Sequence, residues 1–285
     1  MDPGGWDRII PVWILNHPMA DPVPPIGLGT SGNDDFERCA ETVRTALEVG
    51  YRHIDTAQMY GNERAVGAGL ARAEVPREEV VLATKVHPTN LAGDDVTSTT
   101  RESLEKLGVD AVDLLYVHWP TDAYEPTDTL PAFDVLYDEG LVRHVAVSNF
   151  TVPLLEEARR ILDAPIVANQ VEVHPLLPPR PELLAYCSRH DIDVVAYSPF
   201  CRGEALDLPV VRTVADRHGV SPARAILAWL LARDLHPIPK AVGAAHLRDN
   251  YAALGLDLPE QGIESIDGVD RRYRRFDRPG TDWTR

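Results

Sequence analysis

The chain has 285 residues and a formal charge of −16, from 28 Lys and Arg against 44 Asp and Glu, a balance that argues against nucleic acid or an anionic membrane surface as partner. No apolar run approaches the roughly 18 residues of a membrane span, and the N-terminus lacks the basic segment followed by an apolar run of a secretory signal. Cys39, Cys187 and Cys201 are far apart and odd in number, which fits a reduced cytoplasmic protein better than a disulfide framework.

Lys85, Lys106 and Lys240 are the only lysines, and the remaining cations are arginines. An acidic surface adapted to high salt and a GC-rich coding bias both account for this, and the sequence leaves the two open.

Residues 6–30 contain the short apolar pieces Ile9-Ile10 and Val12 to Leu15, then Gly27-Leu28-Gly29-Thr30, which reads as a small hairpin feeding a first strand. Phe36, Ala40, Val43 and Leu47 recur at helical spacing, with Asp34 and Glu37 as a capping box and Gly50 as the stop. Tyr51 to Ile54 is a short strand. Val80 to Thr84 is an apolar strand, Arg101 to Leu107 a helix closed by Gly108, and Val112 to Val117 another strand. A helix near Leu130 to Glu139, the strand Val142 to Val147, the helix Pro153 to Leu162 and the strand Ile166 to Val171 follow. Pro181 opens a helix at its first position, where its missing N–H costs nothing. The strand Val194 to Tyr197, a helix near Pro209 to His218, and a helix opened by Ser221-Pro222 come next, and Ile238 marks a last short strand.

Near-continuous apolar strands alternating with amphipathic helices predict a parallel sheet covered by helices. Eight such units closing into one (β/α)₈ TIM barrel across 1–285, with the N-terminal hairpin and extra C-terminal helices, is the economical α/β arrangement. The doubly wound rival needs a Gly-x-Gly-x-x-Gly turn, and Gly27-Leu28-Gly29 lacks the third glycine.

In such a barrel, functional groups sit where strands end. Asp55, Tyr60, Lys85 and His118 all occupy such places. A phenol titrates near pH 10 and needs a nearby cation to ease loss of its proton. Lys85 supplies that cation, Asp55 keeps it charged and oriented, and His118 donates a second hydrogen bond to a carbonyl oxygen. Glu172 and His174, two apart on a strand, share a face as metal ligands would. With His118 they would suggest a barrel metallohydrolase, but a strand-borne metal pair usually needs two further ligands at strand ends and Lys85 there would repel a divalent cation, so both read as structural and no metal is expected.

Gly50 to Gly67 resembles the first signature of the aldo-keto reductases. Leu141 to Phe150 is similar to the second, with Ala146 where glycine is commoner, and Ile238 to Asn250 resembles the third. Val117-His118-Trp119-Pro120, Asn169 to Pro175 and Tyr197-Ser198-Pro199 fit the intervening patterns, within the family most like prokaryotic diketogluconate-reductase-type members. The resemblance implies a barrel that binds a nicotinamide dinucleotide without a Rossmann domain, with Tyr60 as general acid, Lys85 and Asp55 as its tuning pair and His118 as the carbonyl-orienting donor. It implies that Ser148, Asn149 and Gln170 bond the nicotinamide carboxamide and that Tyr197 stacks beneath the ring. Ser198, Phe200 and Arg202 fall where the family holds the pyrophosphate, and Thr30, Lys240, Ala241, His246 and Asn250 complete the cofactor contacts.

Departures from the family pattern bear on specificity. Ser31 and His87 stand where many relatives have tryptophan, while Trp119 remains. A wider, more polar substrate pocket and a space refilled by other side chains are equal readings. Ala241 and His246 replace the Ser and Arg that grip the adenosine 2′-phosphate, so NADP(H) is expected with NAD(H) also accepted. The tail arginines Arg271, Arg272, Arg274 and Arg275 read as a solvated face rather than an anion trap. The expectation is a cytoplasmic NAD(P)H-dependent reductase of an aldehyde, ketone or sugar-like carbonyl, with a small-molecule carbonyl or alcohol partner and a monomeric or weakly oligomeric state. The alternative is a cofactor-binding regulatory subunit of the same fold with little turnover.

Overall fold

The computed structural model describes residues 22–278. Eight strands form one parallel sheet in chain order: β1 (Leu28–Gly29), β2 (His53–Asp55), β3 (Val81–Val86), β4 (Val112–Val117), β5 (Val142–Ser148), β6 (Ile166–Glu172), β7 (Asp193–Tyr197) and β8 (Leu235–Pro237). The sheet closes on itself. Gly27 N donates to Pro237 O (3.0 Å), Gly29 N donates to Pro239 O (3.2 Å), and Gly29 pairs in parallel with Lys240. A Cβ on Gly29 would lie 2.7 Å from the Ile238 carbonyl oxygen, so the closing seam requires glycine there.

Between strands run α1 (Phe36–Val49), α2 (Glu63–Arg72), α3 (Gly93–Leu107), α4 (Pro126–Asp138), α5 (Val152–Ile161) and α6 (Pro181–Arg189). After β7 come α7 (Pro209–His218) and α8 (Pro222–Leu231), and beyond β8 lie α9 (Ala244–Tyr251) and α10 (Glu260–Asp267). Side chains alternate along each strand. On β4, Leu115 and Val117 join the apolar layer between sheet and helices, while Leu114 and Tyr116 join the barrel interior with Ala83, Ala146, Ala168 and Val195. The expected helix-covered parallel barrel with extra C-terminal helices is therefore the observed one. The apolar pieces Ile9-Ile10 and Val12 to Leu15 of the expected N-terminal hairpin lie outside the described residues.

Several boundaries differ from the sequence expectation. The α1 cap is Asp35, whose side chain accepts from Arg38 N at 2.8 Å, and Glu37 pairs with Arg72 instead of closing a box with Asp34. Helix α3 begins at Gly93, well before Arg101, because its buried stripe of Val96, Thr100 and Ser103 is largely polar and hides the period. Helix α4 begins at Pro126, ahead of Leu130, with Pro at its first position. Strand β2 is shifted to end on Asp55, and β8 ends one residue before Ile238, whose N–H still bonds Ala196 O at 3.1 Å.

Candidate active site

The C-terminal end of the barrel opens into a cavity of about 820 Å³. The first element of its wall is the loop leaving β2. A 3₁₀ turn over Gln58–Tyr60 is closed by Gly61 at φ 64°, a left-handed conformation that glycine adopts without strain. Asn62 pins the loop: its Oδ1 accepts from Thr56 Oγ1 (2.8 Å) and its Nδ2 donates to Thr30 O (2.9 Å). Gln58 fastens the far side, accepting from His87 N at 2.9 Å. Tyr60 is thereby presented on the cavity wall.

Beneath it, Lys85 is fully buried and its ammonium donates to Asp55 Oδ1 and, at 2.8 Å, to Thr56 O. The Lys85 nitrogen lies 5.2 Å from the Tyr60 ring centroid. Burial alone would push the ammonium down, but the Asp55 carboxylate and the Tyr60 phenol outweigh it, and Lys85 is held above its usual value. For Tyr60 the balance falls the other way. Burial raises the phenol, the Lys85 cation lowers it, and burial prevails. The lysine thus moderates the phenol's acidity without ionising it, and Tyr60 keeps its proton at neutral pH. The His118 ring meets the Tyr60 ring edge-on at 5.8 Å between centroids. Burial first, then the nearby cations Lys85 and Arg278, hold His118 well below 6.5, so the imidazole is neutral. The four side chains expected to act together are therefore brought together.

A second set continues the network. Gln170 Nε2 donates to Asp55 Oδ2 (2.8 Å), and Ser148 Oγ donates to Gln170 O (2.9 Å). Asn149 Nδ2 donates to Ser148 Oγ (3.0 Å) and to His118 O (2.9 Å), while Tyr197 OH donates to Asn149 Oδ1 (3.0 Å). Ser148, Asn149, Gln170 and Tyr197 all line the cavity, as do Ser198, Phe200, Arg202 and Lys240. Lys240 Nζ donates to Gly32 O at 2.7 Å.

Other expected residues lie elsewhere. Thr30 is buried behind the wall, its hydroxyl spent on Asp55 O at 3.0 Å. Ala241 and Asn250 are buried and do not line the cavity, and exposed His246 turns Nδ1 toward Val242 O (3.3 Å). Of the substrate-pocket trio, Ser31 and Trp119 line the cavity but His87 does not, because its ring folds back onto Thr89 Oγ1 at 2.7 Å. The carboxylate of Glu172 is occupied by His174 Nε2 (2.8 Å) and by the backbone N–H groups of Arg275 (2.7 Å) and Phe276 (3.0 Å). Among the described residues, no three His, Cys, Asp or Glu side chains are grouped to hold a metal.

The tail arginines are more than a solvated face. Arg271 and Arg275 pair with Glu204 at 3.1 and 3.4 Å. Arg278 pairs with Asp122 at 3.2 Å and lies 5.5 Å from the Trp119 ring centroid. Met59 and Phe276 are cavity residues that sequence reasoning missed. Met59 adjoins Tyr60, so its place was within reach, whereas Phe276 reaches the cavity from a distant part of the chain, which no local pattern encodes.

Residues 25–271 match the family model "Aldo/keto reductase family". The chain is 38% identical over 251 residues to methylglyoxal reductase DkgB of Escherichia coli O157:H7, covering 87% of this chain and 93% of the relative. It superposes on MGS-M4, an aldo-keto reductase from a Medee basin deep-sea metagenome library, with TM-score 0.85, 32% identity and coverage of 90% and 94%. A Bombyx mori aldo-keto reductase in complex with NADP gives TM-score 0.83, 31% identity and coverage of 92% and 93%. Matched over most of its length by family model, relative and fold alike, the chain belongs to the aldo/keto reductase family and is an oxidoreductase that reduces carbonyl groups.

Proposed function

We propose that the enzyme reduces a small aldehyde or ketone with NADP(H), using Tyr60 as general acid, Lys85 and Asp55 as its tuning pair and neutral His118 as a second donor to the carbonyl oxygen. The observation that carries this reading is the buried Asp55–Lys85 pair directly beneath a protonated phenol on the cavity wall. The cavity suits a nicotinamide dinucleotide. It offers the flat Tyr197 ring, the buried polar set Ser148, Asn149 and Gln170, and at its rim a loop in which Ser198, Cys201, Arg202 and Gly203 all have positive φ, with Lys240 alongside. An amide needs both donors and acceptors, and a planar ring needs a planar platform. When bound, the dinucleotide supplies the hydride.

The protein's own part is to polarise and protonate. Tyr60 and His118 converge on the carbonyl oxygen, and both are uncharged, so neither is neutralised before the oxygen becomes negative. As negative charge develops there, the Tyr60 proton moves to it, and the phenolate left behind faces the Lys85 ammonium. Asp55 keeps that ammonium charged throughout, and the buried setting makes each interaction stronger than it would be in water. In the reverse direction the same phenolate takes the alcohol proton.

Ser31, Trp119, Met59 and Phe276 bound the substrate end. The resemblance to methylglyoxal reductase DkgB supports a short oxoaldehyde as substrate. With Ala241 and His246 in place of the Ser and Arg of the family's 2′-phosphate grip, the advantage of NADPH over NADH is small. We further read 1–285 as a single cytoplasmic barrel domain, monomeric or weakly oligomeric. The continuous closed barrel over 22–278 supports the single domain, and the three buried free cysteines support a reducing compartment. No described helix is long and apolar enough to cross a membrane.

The test is loss of the reduced cofactor's near-ultraviolet absorbance with methylglyoxal and a panel of larger aldehydes. Turnover with NADPH on the short oxoaldehyde is expected. Tight NADPH binding without turnover on any aldehyde contradicts the reading.

A further inference from the structure

Glu172 ends β6 at the barrel mouth, buried, and takes no part in the chemistry above. Its two oxygens accept three hydrogen bonds, from the His174 ring and from two successive backbone N–H groups, those of Arg275 and Phe276. A carboxylate is acceptor-only and suits such a set of donors, whereas an amide of the same size would turn its own NH₂ on one of them. The consequence lies at Phe276. Held from behind, its ring meets Tyr197 edge-on at 5.7 Å between centroids, and the Arg202 guanidinium lies 5.3 Å from its centre. Glu204, on the same loop as Arg202, pairs with Arg271 and Arg275 of the tail. Residues 271–276 therefore connect three things: the buried Glu172, the Tyr197 platform and the loop beginning at Ser198.

We propose that Glu172 is a positioning residue that clamps residues 275–276 across the cavity mouth, so that Phe276 walls the substrate end and also latches the loop after β7 over the dinucleotide. Cofactor release and substrate affinity are then both governed by a side chain that touches neither ligand. The proposal rests on the reading of Tyr197 and the Ser198–Gly203 segment as dinucleotide contacts.

Stopped-flow release of NADPH, trapped by excess NADP⁺, tests it on wild type, Glu172→Gln, Phe276→Ala and the double variant. Glu172→Gln, which weakens the charge-assisted hydrogen bonds, and Phe276→Ala, which removes the ring's contacts with Tyr197 and Arg202, are each expected to speed release about tenfold and to raise the KM for methylglyoxal. In Glu172→Gln, at saturating methylglyoxal, the single-turnover rate of reduction stays within about twofold, because the cavity wall, Tyr60, Lys85 and His118 are untouched. The double variant is expected to be no worse than the worse single one, since both break one linkage. Arg275→Pro, which removes one N–H from Glu172, should reproduce the faster release relative to Arg275→Ala, which keeps it. This pair carries the test even if Glu172→Gln folds poorly. Release unchanged in these variants, or effects that simply add in the double one, overturns the clamp. If wild type itself neither binds NADPH nor turns over, it is the dinucleotide reading that fails instead.

Discussion

His53 and Asp55 lie two residues apart on β2, so both side chains point into the barrel, and both are buried. Asp55 is surrounded by partners: Lys85 and Gln170 on its carboxylate, Thr30 on its carbonyl oxygen. Neither ring nitrogen of His53 has a hydrogen-bond partner among the described residues. Burial pushes the imidazole down to about 4, with His236 and Lys85 lowering it further against Asp55 and Asp113. Within one strand the protein thus keeps a buried charge where it is paired and used, and a buried base neutral where it is only packed. A titratable group inside a barrel is therefore not a functional signal by itself. The ring of partners around it is.

Removing the partner breaks the comparison most severely. Lys85→Met leaves the Asp55 carboxylate buried with Gln170 Nε2 as its remaining side-chain donor, and breaking a buried ion pair costs about 3–5 kcal/mol of stability. The Tyr60 phenol, already raised by burial, loses its cation and rises further. The expected result is a kcat lower by roughly 10²–10⁴-fold and a basic limb of the pH–rate profile moved to higher pH, alongside a lower midpoint in denaturant unfolding. A variant with an unshifted profile would remove Lys85 from the tuning role.

The unpartnered member makes the second test. His53 in the folded protein titrates about 4, below the ordinary 6.5, so between these values the unfolded chain binds the extra proton. Stability is complete above pH 6.5 and is lost as pH falls toward 4, by about 3 kcal/mol at 1.36 kcal/mol per unit. His118, also depressed, contributes in the same direction, so the measurement is the difference between wild type and His53→Leu. Unfolding free energy against pH should be flatter in the variant across that window. Equal slopes would show that His53 is not held neutral by burial.

The smallest effect is expected where charge meets water. In His246→Arg, at an exposed position on α9, a guanidinium fork replaces a ring that offers one donor at most when neutral. NADPH affinity should rise by roughly ten- to a hundredfold over NADH, the value of about 1.5–3 kcal/mol for a hydrogen bond to a charged group. Wild type should show only a modest preference for NADPH. A wild-type preference above roughly a thousandfold near neutral pH would contradict the reading.

Much of the fold and the site is legible in the sequence, for identifiable reasons. The strands are apolar on both faces, so their positions and parallel arrangement are visible without knowledge of any contact. Asp55, Lys85 and His118 can be placed together because each lies at or just past the C-terminal end of a strand, and strand ends in a barrel converge. What the sequence hides depends on polar burial or on residues distant in the chain. The start of α3 is obscured because Val96 is followed by a largely polar buried stripe, through Thr100 and Ser103. The family resemblance puts His87 in the substrate pocket, but Thr89 two residues on captures its ring. Phe276 reaches the cavity only because Glu172, on β6, holds its backbone.

The central claim, that Tyr60 delivers the proton while the rest of the site is already assembled, is tested most directly by Tyr60→Phe. The measurement pairs NADPH affinity with the rate of methylglyoxal reduction on the same preparations. Affinity is expected within about threefold of wild type and kcat lower by roughly 10²–10⁴-fold, because the phenol's proton is needed only as charge forms on the carbonyl oxygen. A kcat within a few-fold of wild type, with the cofactor still bound, would contradict it.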